Sequence, residues 1–387
     1  MIRRPLGFLA AARFVINTST RFVYPFLPAI ARGLGVPLTA AGVLVSARWI
    51  SGLATPGVVT TVGGARHRRL IRLSMALFVV GSLVTAATNV YVGALVGFIL
   101  MGVAKPVFDI TSQAYISDRV PYERRARYLS VFELTWAGSL LVGAPAAGWL
   151  LDRAGWNAPF WVFAILIGIA LLATGWALDP DSEAAKADRS RIKWHRSAAA
   201  LIVVVGLFNL AAESMFVMYG AWLEDGFGLT LAALGFTAVV IGLSELAGEG
   251  ATFAFTDRIG KRRAVAIGLV VSAAGYLMVG VAQEQLVTGL VALAIGIGGF
   301  EFTIVSSIPL STEMAPTART RYLAWIIVAT SLGRATGAAI GPALFEGFGV
   351  GVNAVLAAGA SLAALTVLLL FVRESHTGNE TPVSPSA

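Results

Sequence analysis

Ionisable side chains interrupt the long apolar runs of this sequence, and they are the residues best placed to do chemistry. Four of them are glutamates in the second half of the chain: Glu213, Glu245, Glu249 and Glu301. A charged group at the centre of an apolar membrane segment costs roughly 2.5–3.5 kcal/mol, so it should face protein or water. A carboxyl group in a poorly hydrated cavity can take up a proton and release it when its surroundings change. We therefore interpret these glutamates as candidate proton carriers, with Glu245 or Glu249 first and Glu213 next.

The ionisable residues within the first half of the chain are mainly basic. Arg13, Asn17 and Arg21 follow at intervals of four, which places them on one face of a helix. Arg48 lies in the middle of the next apolar run, and Asn209 lies one helical turn before a glutamate. Lipid would exclude such polar positions, so we expect them to line a central cavity that contacts a solute. The alternative for Arg48 is a structural pair with a carboxylate of another helix.

Several of these charges can also neutralise one another without titrating. Lys105 and Asp109 have the spacing of an ion pair within a helix, and we favour a structural role for them. Glu133 and Arg334 suit contacts between helices as well as contacts with a solute. The four glutamates likewise have an alternative role as permanent partners of the basic residues in the first half.

The composition of the chain explains why its internal charges are informative. The sequence is 57% hydrophobic and 13% charged with a mean hydropathy of +0.78, whereas soluble proteins are roughly a quarter charged. We therefore predict an integral membrane protein. The absence of cysteine excludes disulfides, and three histidines in polar segments cannot build a metal cluster or a catalytic triad. The net charge of +8 lies mostly in short loops, which indicates membrane orientation rather than nucleic-acid binding.

Apolar runs of about 20 residues are long enough to cross a bilayer as helices. Polar backbone groups cannot be left unsatisfied in lipid, so runs of this length predict helices rather than strands. The predicted all-α membrane fold has twelve helices, near 6–31, 38–61, 70–88, 91–114, 128–151, 157–178, 198–222, 230–254, 264–282, 286–310, 321–344 and 350–372.

Lysine and arginine are distributed unequally between the two sides of these helices. The side that carries both termini has 22 of them in its connecting segments, whereas the other side has Arg32 and Arg153 alone. Because positively charged loops tend to remain in the cytoplasm, we predict that both termini are cytoplasmic. The expected location is the plasma membrane of the cell, or inner membrane, which the chain crosses many times.

The second half of the chain repeats the first at an offset of 194 to 195 residues. Asp118 and Tyr128, for example, recur as Glu313 and Tyr322. Tandem copies of one multi-span unit imply a cleft between two halves, which is how many secondary transporters form a gated path. We predict two six-helix bundles, a cytoplasmic linker between them and a disordered tail, at 1–178, 198–374, 179–197 and 375–387 respectively. The linker suits either binding to the anionic membrane surface or a solvated, flexible segment.

Three segments of the sequence resemble those of one membrane-protein family. They are YPFLPAIARGLGV at 24–36, SDRVPYERRARYLS at 117–130 and FTDRIGKRR at 255–263. Through them the whole chain resembles a twelve-helix member of the major facilitator superfamily, and in particular its drug and sugar exporter branch. The resemblance implies two pseudo-symmetric six-helix bundles. It also implies a cytoplasmic gate, for which the candidate residues are Asp257, Arg258, Gly260, Arg262, Asp118 and Arg124.

A glycine–proline pattern in the fifth predicted helix includes Gly143 and Pro145. It is similar to a pattern in antiporters of the same family and favours export. Small residues also let helices approach closely and proline bends them, so plain close packing explains the pattern equally well.

These features favour a secondary active transporter rather than an enzyme, because no catalytic constellation is visible in the sequence. We predict proton-coupled efflux of a small organic solute by antiport and alternating access, with no cofactor beyond the proton gradient. The alternatives are proton-coupled uptake of an organic anion and translocation of a lipid precursor. The expected partners are the solute and the lipid bilayer, without nucleic acid, and we expect the chain to act as a monomer.

Overall fold

The computed structural model describes five stretches of the chain, namely residues 3–55, 57–58, 67–180, 194–315 and 318–373. Within these stretches the chain forms helices joined by short turns, and it contains no β-strand. Ten of the described helices are long and apolar enough to cross a membrane. The chain is therefore a multi-span membrane protein. Most of the predicted linker and the whole predicted tail lie outside the described residues.

We number the spans 1 to 12 in chain order. Those of the N-terminal half are Arg3–Arg21 with Val23–Leu34 (span 1), Leu38–Ser51 with the short turn Gly52–Ala54 (span 2), His67–Thr88 (span 3), Tyr91–Arg119 (span 4), Tyr122–Gly138 with Ala144–Ala154 (span 5) and Ala158–Ala177 (span 6). Those of the C-terminal half are Arg196–Phe216 with Tyr219–Phe227 (span 7), Leu231–Ile259 (span 8), Lys261–Val281 (span 9), Leu286–Met314 (span 10), Arg319–Phe348 (span 11) and Val350–Phe371 (span 12).

Span 1 contains more charge than a typical membrane helix, yet it packs as a span. Arg13 and Arg21 lie in its first helix and are only 5% and 2% exposed. Their burial in protein rather than lipid removes most of the cost of placing charge within the membrane. The second part of span 1 and span 2 meet at an angle of 119°, because the chain turns back at Gly35, which has a φ of 67°.

Spans 1 and 7 share the same irregularity, as the sequence repeat predicts. Span 1 is interrupted at Phe22, and span 7 is interrupted between Phe216 and Tyr219. Each of them ends at a glycine in the left-handed conformation, Gly35 or Gly228. The two bundles are therefore related in detail as well as in helix count. Broken helices of this kind are typical of transport proteins that bind solutes near the membrane midplane.

Several helices extend beyond their predicted ends. The fourth predicted helix, 91–114, continues to Arg119, and the eighth, 230–254, continues to Ile259. The predictions followed the apolar runs, whereas backbone hydrogen bonding continues after the side chains become polar. The last residues of the predicted helix at 38–61 lie outside the described residues.

Both ends of the described chain lie at one end of the molecule, which we call the basic end. Arg4 donates to the carbonyl of Trp176, so the start of span 1 lies beside the end of span 6. Ser197 donates to the carbonyl of Phe371 at 2.9 Å, which joins the start of span 7 to the end of span 12 in the same way. We call the opposite end of the molecule the far end.

The two halves contact each other closely towards the far end of the molecule. A Cβ atom added to Gly42 in span 2 would lie 2.6 Å from Pro342 Cγ in span 11. A Cβ atom added to Gly220 in span 7 would lie 2.3 Å from the carbonyl oxygen of Pro25 in span 1. Only glycine permits such approaches. The path between the halves is therefore closed towards the far end.

Gly220→Val is expected to open this closure, because the new side chain would overlap the backbone of the other half. Since the sequence has no cysteine, Ala31→Cys, at a position buried in this region, provides a clean reporter. Its reaction with maleimide in detergent should become about tenfold faster in the Gly220→Val background, a population shift of ~1.4 kcal/mol. Gly347→Val is the control, since nothing lies within 4 Å of its added Cβ. Equal rates in both backgrounds would contradict the close contact.

Candidate functional site

A cluster of four charges joins spans 1, 4 and 5 within the N-terminal bundle. Arg13 Nε lies 3.1 Å from Asp109 Oδ1, and Arg13 Nη1 lies 3.0 Å from Glu133 Oε2. Lys105 Nζ lies 2.5 Å from Asp109 Oδ2, so the spacing of these two residues does form an ion pair. Two cations and two carboxylates balance in this cluster. Arg13, a candidate cavity residue, therefore has both of its carboxylate partners within its own bundle.

Glu213 in span 7 is fully buried, with 0% of its side chain exposed. Its Oε1 accepts from the hydroxyl of Tyr24 at 2.8 Å and from Nε1 of Trp49 at 2.9 Å. Its Oε2 lies 3.0 Å from Nη1 of Arg334. Tyr24 and Trp49 belong to the N-terminal half, so this carboxylate holds the two halves together.

Arg334 in span 11 completes this group. Its Nε donates to Oδ1 of Asn209 at 3.0 Å, which leaves Asn209 as a positioning partner of the guanidinium. The guanidinium carbon also lies 4.8 Å from the ring centre of Trp49 and 5.4 Å from that of Phe300. Cation–π contacts of this kind stabilise a desolvated guanidinium. We refer to Glu213, Arg334, Asn209, Tyr24 and Trp49 as the central lock.

A second contact between the halves is the ion pair of Arg21 in span 1 with Glu245 in span 8. Both side chains are 2% exposed. The guanidinium carbon of Arg21 lies 4.2 Å from the ring centre of Trp136. Tyr219, the repeat counterpart of Tyr24, is buried nearby and interacts electrostatically with both members of the pair. Its hydroxyl has no hydrogen-bond partner among the described residues.

Glu249 and Glu301 differ from the other internal carboxyls, because neither has an ion pair or a hydrogen bond among the described residues. Glu301 in span 10 is 7% exposed, and Glu249 in span 8 is half-buried. A Cβ atom added to Gly248 in span 8 would lie 2.9 Å from the Cβ of Glu301. Glu301 therefore packs directly against span 8 at a glycine, where a larger residue would collide with it. Both carboxyls interact electrostatically with Glu245. Three carboxyls thus lie near the guanidinium of Arg21, and Glu301 also interacts electrostatically with Arg334.

Two polar residues of the first half have partners that the sequence did not predict. Arg48 donates from Nη1 to the carbonyl of Thr20 at 3.1 Å, and it makes no ion pair among the described residues. Its Nη2 atom is also buried, and it has no hydrogen-bond partner among the described residues. Asn17 donates from Nδ2 to the hydroxyl of Thr135 at 3.2 Å, so it joins spans 1 and 5. The alternative role of Arg48, a structural pair with a carboxylate of another helix, is therefore not seen among the described residues.

The loops at the basic end repeat one arrangement in both halves. In the N-terminal half, Nε2 of His67 lies 2.9 Å from Oδ2 of Asp118, and Arg68 donates to the carbonyl of Gly175 at 3.2 Å. These contacts tie the start of span 3 to the ends of spans 4 and 6. Arg124, another predicted gate residue, is exposed at the start of span 5.

The C-terminal copy of this arrangement involves the basic residues that follow Gly260. Lys261 pairs with Glu313, and Arg262 donates to the carbonyl of Leu369 at 2.8 Å. Asp257 and Arg258 are instead exposed, with no ion pair among the described residues. The first turn of span 9 faces spans 10 and 12, so its basic residues reach the carboxylate of Glu313 rather than that of Asp257. Gly260 has a φ of 90°, a left-handed conformation that suits glycine and allows the turn between spans 8 and 9.

The glycine–proline segment of span 5 packs on two sides. A Cβ added to Gly143 would lie 2.1 Å from Oγ1 of Thr18 within the same bundle. The Cα of Pro145 lies 3.1 Å from where a Cβ on Gly235 would be, in span 8 of the other bundle. A π-helical turn at Ser139–Gly143 precedes this segment. The segment therefore provides close packing both within and between the halves.

Comparison with known proteins agrees with this architecture of two related bundles around a charged centre. The family model described as Major Facilitator Superfamily matches residues 9–254 and 202–386. The chain belongs to the Major Facilitator Superfamily. The predicted fold of twelve helices in two pseudo-symmetric bundles is thereby confirmed, as is the prediction of a membrane transporter rather than an enzyme.

Curated relatives of this major facilitator match part of its length. It is 28% identical to the inner membrane transport protein YdhP of Escherichia coli strain K12 over 224 residues, which is 56% of each chain. It is also 28% identical to the class C tetracycline resistance protein of Escherichia coli over 204 residues, 48% of this chain and 50% of that protein. The chain thus spans about half the length of these curated relatives.

Solved structures match it over nearly its whole length but at low identity. A D-xylose–proton symporter has a TM-score of 0.78 and 15% identity, and covers 96% of this chain and 98% of its own. The human organic anion transporter MFSD10 has a TM-score of 0.67 and 15% identity, and covers 95% of this chain and 99% of its own. At such identities the match shows the fold alone.

Proposed function

We propose that this major facilitator exports a small organic solute in exchange for protons, by alternating access between its two bundles. The observation that carries the proposal is the pair of carboxyls, Glu249 and Glu301, which lie near the Arg21–Glu245 ion pair and make no ion pair of their own among the described residues. Protons or a cationic solute can neutralise such carboxyls in turn, which makes the two ligands compete for one site. Competition of this kind is the thermodynamic basis of antiport.

The internal charges also support a choice among the candidate carriers. Glu213 and Glu245 each have a buried arginine within ion-pair distance, so a counter-charge already neutralises them. Glu301 and Glu249 have no such partner among the described residues, so a proton or a cationic solute is left to neutralise them. We therefore place Glu301 and Glu249 ahead of the other two glutamates as proton carriers.

The same balance of charge favours a solute that contains a basic nitrogen. Arg48 is the one internal cation without a carboxylate partner among the described residues, so the two unpaired carboxyls, Glu249 and Glu301, exceed the unpaired positive charge. Aromatic side chains such as Trp136 and Phe300 lie beside them and suit the apolar part of an organic cation or zwitterion.

Names of similar proteins are consistent with two directions of transport. A tetracycline resistance protein is among the relatives, and a D-xylose–proton symporter is among the solved structures. We favour export from the cytoplasm because the glycine–proline pattern of span 5 is similar to one in antiporters of this family. The positively charged loops of the basic end support a cytoplasmic location for both termini. We retain uptake of an organic anion by symport as the second candidate, because Nη2 of Arg48 is buried without a partner among the described residues.

A thermal-shift experiment with purified protein distinguishes the two candidates. Panels of organic amines, zwitterions and carboxylates would be tested at about pH 6 and about pH 8. Antiport predicts that amines stabilise the protein more at the higher pH, where protons no longer compete for the carboxyls. Stabilisation by carboxylates alone, and more strongly at the lower pH, would reject antiport and favour symport of an anion.

A further inference from the structure

An apolar groove lies between spans 8, 9 and 10 of the C-terminal bundle, outside the central charged region. Its volume is about 570 Å³. Its walls are built from small and apolar side chains together with glycine, including Val240, Ala251, Phe255, Ile267 and Val291. Several of these side chains are more than a third exposed, so the groove opens to the surroundings of the protein.

The groove faces the bilayer rather than the cleft between the halves. Glu245 and Glu249 define the face of span 8 that points to the N-terminal bundle, where Glu245 pairs with Arg21. Ala247 and Ala251 line the groove and follow these glutamates by two positions each. Two residues of α-helix turn through about 200°, so the groove lies on the opposite face of span 8. Hydrocarbon chains of lipid are therefore its natural surroundings.

The groove covers most of the length of span 8 and ends near the basic end. Along span 8 it extends from Val240 to Phe255, which corresponds to ~22 Å of helix. Span 8 runs from Leu231 to Ile259, so the groove begins nine residues after the start of the span, before its middle, and ends four residues before its basic end. A groove of this length, within a hydrocarbon layer of about 30 Å, accommodates a chain that enters from the basic end.

Two exposed arginines continue the walls of the groove at the basic end. Arg258 follows Phe255 by three residues in span 8, and Arg263 precedes Ile267 by four residues in span 9. Residues at these spacings lie on one face of a helix, so both arginines stand above the mouth of the groove. Neither has an ion pair or hydrogen bond among the described residues, in contrast to Arg262, which donates to Leu369.

We propose that this groove binds an anionic phospholipid of the bilayer. One acyl chain lies in the groove between spans 8, 9 and 10, and the phosphate group is bound by Arg258 and Arg263. Burial of the chain supplies affinity in proportion to the apolar area covered, and the guanidinium groups supply the preference for negative charge. The lipid contacts spans 8 and 10, which carry Glu249 and Glu301, through their outer faces.

The test uses the purified full-length protein in detergent, titrated with phosphatidylglycerol or phosphatidylcholine while its melting temperature is measured. Phosphatidylglycerol should stabilise the wild type at lower concentrations than phosphatidylcholine. In Arg258→Gln/Arg263→Gln the affinity for phosphatidylglycerol should fall about fivefold for each arginine, as expected for ~1 kcal/mol per basic residue at an anionic surface. Arg321→Gln removes an exposed arginine at the same end, away from the groove, and should leave the titration unchanged.

A second variant tests the groove itself. Ala251→Trp should weaken the response to both lipids, because the indole occupies the space of the acyl chain. Leu172→Trp places the same side chain on the exposed surface of span 6 and serves as its control. Equal stabilisation of the wild type by the two lipids, or an unchanged titration of Arg258→Gln/Arg263→Gln, would overturn the proposal. Loss of transport in Ala251→Trp with an unchanged lipid titration would also overturn it, since the groove would then serve the solute.

Discussion

Glu301→Gln is expected to abolish proton-driven transport, while solute exchange continues at a reduced rate because Glu249 can still bind a cationic solute. Glutamine has the shape of a protonated glutamate, but it cannot release a proton. Glu301 is buried, and it has no cationic partner among the described residues, so the neutral side chain fits the same space beside Gly248. The variant should therefore fold normally and remain in the state that the proton would otherwise create. The rate driven by a pH gradient should fall by about tenfold or more, a loss of at least ~1.4 kcal/mol.

Proteoliposomes allow the two activities to be separated. Accumulation driven by an imposed pH gradient measures coupling, and exchange of labelled for unlabelled solute without a gradient measures translocation alone. Glu284→Gln provides a control, because it changes a carboxyl in an exposed turn between spans 9 and 10. Coupled transport that survives in Glu301→Gln at the wild-type rate would exclude this residue as the carrier.

The neighbouring carboxyls of span 8 should behave differently from Glu301. Glu249 is half-buried and has no ion pair among the described residues, so Glu249→Gln should reduce coupling in the same assay. Glu245 is the partner of Arg21 across the two halves. Glu245→Gln should therefore weaken the contact between the bundles more than it reduces proton coupling. This differs from the sequence analysis, in which Glu245 was a leading candidate carrier.

The sequence was sufficient to predict the scaffold of this protein. Apolar length and the positions of basic residues depend on local composition, so twelve spans could be placed without knowledge of packing. The internal repeat predicted two related bundles, and the breaks at Phe22 and between Phe216 and Tyr219 follow it. The spacing of Lys105 and Asp109 was also enough to predict their ion pair, because both residues lie in the same helix.

The pairing of the remaining charges could not be predicted from spacing, because it depends on how helices rotate against one another. Arg334 lies 121 residues from Glu213, and no pattern in the sequence connects them. The π-helical turn at Ser139–Gly143 adds a further rotation within span 5, which a regular periodicity does not anticipate. Tyr24 and Trp49 were missed as partners of Glu213 for the same reason, although the repeat of Tyr24 in Tyr219 was a usable signal.

Arg334→Gln is expected to destabilise the protein strongly, because it leaves the carboxylate of Glu213 without its cation at 0% exposure. Removal of one partner from a buried ion pair typically costs about 3–5 kcal/mol. The melting temperature in detergent should fall accordingly. Arg32→Gln provides a matched control, since its ion pair with Glu224 also joins the halves but its side chain is 58% exposed. Exposed pairs are worth roughly 0–1 kcal/mol, so this control should melt close to the wild type.

The double variant Glu213→Gln/Arg334→Gln separates charge balance from the contact between the halves. It leaves no unpaired charge in the central lock, so most of the lost melting temperature should return. The hydrogen bonds from Tyr24 and Trp49 then reach a neutral amide instead of a carboxylate, and such bonds are about half as strong. The halves should therefore separate more readily, and Ala31→Cys should react faster with maleimide than in the wild type. A double variant that regains stability but keeps the wild-type labelling rate would mean that Glu213 and Arg334 only balance each other's charge.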